Sequence, residues 1–104
     1  MRAVFEVIEI VDKPAWGPVL SGRLKKGQLR PGMESFFQDS LLKLKDIYDQ
    51  AEELQAVAVA GQNLYLAVTV THLEILKATA GNQLVFEDQE HRLKRQWQLK
   101  PTVA

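Results

Sequence analysis

The chain of 104 residues contains no cysteine, so disulfides, thiol catalysis and thiolate metal sites are excluded at once. It has no charge of one sign: 13 basic residues balance 13 acidic ones, so no global field attracts nucleic acid or a membrane surface. It has no apolar run near the ~20 residues that a helical membrane span requires. Glu6 and Glu9 interrupt the apolar N-terminal stretch, so no signal-peptide layout is present, and a cytoplasmic protein with no membrane partner is the expectation. Histidine is scarce. His72 and His91 stand far apart, with no carboxylate at a recognisable spacing, no His-Glu-x-x-His pair and no nucleophile elbow. Nothing here supports an enzyme, a cofactor or a metal site.

What is present is one organised stretch. Gly17, Gly22, Gly27 and Gly32 recur at five-residue intervals, with Val19, Leu20, Leu24 and Leu29 between them. Arg30-Pro31-Gly32-Met33 suits a type II turn, because proline presets φ at the second position and glycine takes φ > 0 at the third. Lys26-Gly27 is a second turn signal. Val19 and Leu24 are an odd number of positions apart, so a regular strand would send them to opposite faces. If both are core, the parity must slip, and Gly22 is where a bulge or a close backbone approach would do it. Gly17 to Gly22 also begins like a phosphate-binding loop, but Arg23 and Leu24 stand where Lys and Ser or Thr are required, so no nucleotide partner is expected.

Elsewhere the pattern is mostly that of strands. Ala3 to Val11, rich in Val, Ile and Phe, predicts a strand with both faces largely covered. Met33 to Gln38 predicts a short strand and Leu41 to Tyr48 a longer one, with Leu42 and Leu44 inward and Lys43 and Lys45 outward. Asn63 to Thr71 predicts Leu64, Leu66, Val68 and Val70 inward, and Tyr65, Thr69 and Thr71 outward. A helical turn at Leu73 to Leu76 and a closing strand at Gln83 to Phe86 complete this part. Residues 49–60 admit two readings. Asp49 and Glu52 could form a capping box, with Ala51, Leu54 and Ala58 on one helix face. Val57 and Val59 favour extended chain, which is the preferred reading. After Phe86 an acidic run, Glu87 to Glu90, precedes a basic one, His91 to Arg95, and Leu93 lies four residues before Trp97. Residues 88–104 therefore predict a short C-terminal helix or extension, part of the same single domain as the barrel over 1–87.

The glycine-spaced stretch, Gly-x-Val-x-x-Gly-x-Leu-x-x-Gly-x-Leu-x-x-Gly, resembles the signature of the second domain of translational GTPases such as elongation factor Tu. Ala58-Val59-Ala60-Gly61-Gln62-Asn63-Leu64 resembles that family's Ala-x-Ala-Gly-x-Asn-Val, and Phe5 to Val11 resembles its opening strand. The likeness runs from about Phe5 to Phe86. It implies an all-β fold, a small closed or nearly closed antiparallel barrel of about six or seven strands. It also implies a non-catalytic role, since in that family this barrel packs on other domains and in some members touches RNA. Two positions depart from the pattern: Trp16 and Val59 stand where elongation factor Tu carries arginine, so recognition of an aminoacyl end does not carry over.

The candidate site residues are accordingly those of binding. Arg23, Lys25, Lys26 and Arg30 cluster along the first hairpin and could grip phosphates. Arg92, Lys94 and Arg95 beside Trp97 combine cations with an aromatic, as single-stranded nucleic acid requires. Trp16 is either a lid over one barrel end or an exposed stacking or docking residue. Two functions follow as expectations: a binding module contacting RNA or a ribonucleoprotein, or an adaptor that docks a protein through Trp16, Tyr65 or the C-terminal segment.

Overall fold

A computed structural model describes residues 2–88. The C-terminal helix or extension expected over 88–104 lies outside the described residues, apart from Asp88. The strands, in chain order, are β1 (Arg2–Lys13), β2 (Gly17–Lys26), β3 (Gln28–Leu29), β4 (Glu34–Phe37), β5 (Ser40–Tyr48), β6 (Leu54–Gln55), β7 (Ala58–Val59), β8 (Asn63–Thr69) and β9 (Gln83–Glu87), with one helix, α1 (Leu73–Ala78), before the last. Every strand pair is antiparallel. The order β4-β9-β1-β2-β8-β5, with β5 returning to β4, closes a six-stranded all-β barrel. Closure leaves the ring without a free edge strand over its paired length. Among the described residues no helix is long and apolar enough to cross a membrane.

The core follows the alternation in the sequence. Leu42 and Leu44 are buried and Lys43 and Lys45 exposed, while Leu64 and Leu66 point inward against Phe5, Val7 and Phe86. Val68 and Val70 pack against the same cluster. The Arg30–Met33 turn forms as expected: Gly32 takes φ +97, and the Met33 N–H donates to the Arg30 carbonyl at 3.3 Å. The β4–β5 hairpin is tighter than the sequence suggests. Phe37 pairs with Ser40, and the two residues between them, Gln38 and Asp39, hold φ of 49 and 63. Two consecutive positive φ values in a two-residue loop match the right-handed twist of the strands they join.

The parity expectation needs correction. Leu20, Gly22 and Leu24 are all buried along β2 and keep one face without a slip, whereas Val19, also fully buried, lies outside the core cluster. The extra residue is in the other strand. Val7 pairs with Gly22 and Glu9 with Ser21, so Ile8 bulges from β1. Gly22 serves instead by close approach. A Cβ there would overlap the Glu6 carbonyl oxygen and come within 3.0 Å of Phe5 Cε2. The bulge also undoes the expectation that β1 is covered on both faces, because Ile8 is 61% exposed.

Residues 49–60 take the extended reading, as a turn followed by β6 and β7. The Asp49 carboxylate does cap, but it caps a turn: its Oδ1 accepts from the N–H groups of Ala51 at 2.9 Å and Glu53 at 3.0 Å. An aspartate that satisfies its own downstream backbone offers the chain an alternative to helix. Leu73 and Leu76 do form a helix, one that runs on to Ala78 with Leu76 buried.

Candidate functional site

The most organised cluster on the outer wall is built by register. Tyr48 of β5 pairs with Tyr65 of β8 on one side and with Leu54 of β6 on the other. A second bulge places Tyr48 there. Leu44 pairs with Val68 and Asp46 with Ala67, so Lys45 is the extra residue, and the parity of β5 inverts beyond it. Ile47 then points into the core and Tyr48 outward.

Trp16 arrives from the β1–β2 turn, where its N–H donates to the Lys13 carbonyl at 3.1 Å. Its ring stacks on Tyr48 with centroids 3.7 Å apart and planes 12° from parallel, and it meets Tyr65 at 6.3 Å and 50°. Stacked and tilted aromatic pairs of this kind contribute about 0.5–1.5 kcal/mol each beyond their burial. Lys13 completes the group. Its Nζ lies 4.5 Å from the Tyr65 ring centroid and 3.0 Å from Glu52 Oε1. The Glu52 carboxylate raises the Lys13 pKa above its ordinary value, outweighing the opposing effect of desolvation. Burial raises the Tyr48 pKa, with Asp46 adding to the shift.

Beside this platform runs a half-open groove of about 450 Å³. It is lined by Ala15, Trp16 and Pro18 from the β1–β2 hairpin, by Lys45, Asp46 and Tyr48 from β5, and by residues 67–70. A planar aromatic wall with a lysine at its edge can hold a flat ring by stacking and an anion by charge.

Trp16 and the hairpin cations lie toward opposite ends of β2. Trp16 belongs to the platform. Arg23, Lys25 and Lys26 are exposed toward the other end of β2, with Arg23 seven residues along from Trp16, roughly 23 Å at the rise of an extended chain. Arg23 pairs across the sheet with Glu6 and Asn63, and Lys26 with Val4. Arg30, also exposed, sits in the turn before Met33, with its N–H donated to Met33 Sδ at 3.3 Å. Arg92, Lys94, Arg95 and Trp97 lie outside the described residues. Tyr48, Lys13 and Glu52 were not legible as site residues, because Trp16 meets Tyr48 and Lys13 meets Glu52 across more than thirty residues of chain. Among the described residues no group of three His, Cys, Asp or Glu side chains could hold a metal ion.

No protein-family model matches the chain, and no curated protein matches it either. What fold and site define together is therefore a class: a small closed antiparallel barrel with an aromatic and cationic platform on its wall.

Proposed function

We propose that this protein is a non-catalytic binding module of the translation-factor barrel type, contacting single-stranded RNA or a ribonucleoprotein. One observation carries the reading: the Trp16–Tyr48 stack walls a groove of about 450 Å³ that also has Lys45 at its edge. Bases stack on such aromatics with little sequence preference, each contributing about 1–3 kcal/mol, while cations follow the backbone. The resemblance of the glycine-spaced stretch to the second domain of translational GTPases supports the same class of ligand. The closed barrel is compatible with that resemblance. Arg23, Lys25, Lys26 and Arg30 would extend the phosphate track along β2, and Arg92, Arg95 and Trp97 would supply a second contact.

The test is fluorescence anisotropy with a labelled oligouridylate across a salt series. Affinity should fall steeply with salt, and Trp16→Ala should weaken binding by about 1–3 kcal/mol. Lys45→Gln should flatten the salt slope by about one unit. Absence of binding at low salt would sink the RNA reading. An adaptor would then be favoured by Leu54, Val57 and Val59, exposed at 64%, 44% and 48% along one short segment beside Tyr48.

A further inference from the structure

The β1–β2 hairpin outruns the strand beside it. β9 pairs with β1 only from Arg2 to Glu6. The loop after α1 extends that edge by one residue: the Val7 N–H donates to the Asn82 carbonyl at 2.9 Å, and the Gly81 N–H to the Val7 carbonyl at 2.8 Å. Beyond the Ile8 bulge, no described strand runs along the outer edge of β1.

The direction of the backbone groups there can be derived. Asp12 pairs with Pro18, which has no N–H to give, so this is a pair whose polar groups face away from each other. Alternation assigns the same orientation to Ile10, whose partner Leu20 is turned toward Leu66 of β8. The N–H and C=O groups of Ile10 and Asp12 therefore face outward. A groove of about 420 Å³ lies beside this part of the hairpin, lined by Glu9, Ile10, Asp12 and Pro18 from the hairpin and by Leu73, Lys77 and Ala80 from α1 and the loop after it. Leu73 and Lys77 bring helix α1 to the same groove. Ile8 and Leu73, 61% and 47% exposed, put apolar surface on this side of the molecule.

We propose that this edge is a docking site for an extended, basic segment of a partner protein, which adds to β1 as a further strand between Ile8 and Asp12 and rests its apolar side chains on Leu73. Strand addition takes affinity from main-chain hydrogen bonds and selectivity from the pockets that receive alternate side chains. Charge selects the occupant. Glu9 and Asp12 both line the groove, and Lys77 is the one cation among its described lining residues. Lys13, next along the strand, is held by Glu52. A second copy of this chain pairing antiparallel through the same edge would bring its own Glu9 and Asp12 against these carboxylates, and like charges placed opposite one another destabilise a sheet. A segment alternating lysine with valine meets no such repulsion. This inference is independent of the RNA reading, because Trp16, Tyr48 and Lys45 take no part in it.

The probe is a synthetic heptapeptide alternating lysine and valine, titrated into the isotopically labelled full chain to about 1 mM, the weak end of measurable affinity. Amide shifts should concentrate at residues 8–12 and 73–80, and the Ile10 and Asp12 amides should become protected from exchange. N-methylation of alternate peptide amides removes the ladder without touching the protein, and should weaken binding by about tenfold or more. Replacing lysine by glutamate in the peptide should weaken it similarly, and Glu9→Lys with Asp12→Lys should reverse that preference. Shifts elsewhere only, no shifts at all, or binding indifferent to N-methylation would each overturn the proposal.

Discussion

At the scale of the residue, Gly22 decides more than its size suggests. The atom that a Cβ would meet is a backbone carbonyl oxygen, that of Glu6, which cannot rotate aside as a side chain end could. Gly22→Ala is therefore expected to destabilise the barrel by about 2 kcal/mol, and Gly22→Val by more. Urea unfolding measures this, and an unchanged midpoint would show that β1 can withdraw at no cost. The glycine spacing made Gly22 stand out in the sequence, but its mechanism was only half legible. Close approach was one of two options, and the bulge turned out to sit opposite, at Ile8, where no glycine or proline marks it. Tyr48 shows the same limit. A strict alternation from Leu42 and Leu44 would bury it, and the Lys45 bulge reverses that.

At the scale of the element, the β4–β5 hairpin is well paired but has costly turn residues. Gln38 and Asp39 both hold positive φ, which glycine and asparagine adopt with less strain. Gln38→Asn combined with Asp39→Gly should raise stability by about 0.5–1 kcal/mol, read as a higher melting midpoint. A fall would mean that one of the present side chains stabilises the turn. Elements with a repeating signature were read correctly from sequence, β8 above all, since inward Leu64 and Leu66 alternate with outward Tyr65. Residues 49–60 were ambiguous for a physical reason. The same Asp49 carboxylate that can start a helix can also close a turn, and only the pairing of Tyr48 with Leu54 decides between them.

At the scale of the whole molecule, stability should decline at alkaline pH. Lys13 and Tyr48 both have folded pKa values raised above their ordinary ones, Lys13 chiefly by the Glu52 carboxylate and Tyr48 chiefly by burial. A raised folded pKa means the folded state binds protons more tightly than the unfolded state. Its contribution is complete below the unfolded pKa, about 10 for tyrosine and 10.4 for lysine, and is lost as pH rises through the folded value. Unfolding midpoints measured from about pH 9 to 11.5 should fall, and Lys13→Gln should make the fall shallower. A flat or rising curve would show that the platform does not couple to folding. The barrel itself was legible because two local blocks resemble a known one. The platform was not, because residues 16, 48 and 65 meet only once long-range register is set.

The pairing of Arg2 with Glu87 gives the seam between β1 and β9 a particular weight. It joins positions 85 residues apart, so nearly the whole described chain becomes one loop when it forms. The length-dependent part of closing such a loop costs about 4 kcal/mol in chain entropy. The ion pair across the seam joins Arg2, 59% exposed at its side chain, to Glu87, only 6% exposed, so taking the Glu87 carboxylate out of water consumes much of what the pair gains. The burden falls on the β9 ladder and on Leu84 and Phe86, both inserted into the core from that strand. A ring held in this way gains little from partial closure, so the same few side chains that fill its centre also decide whether it is a ring at all.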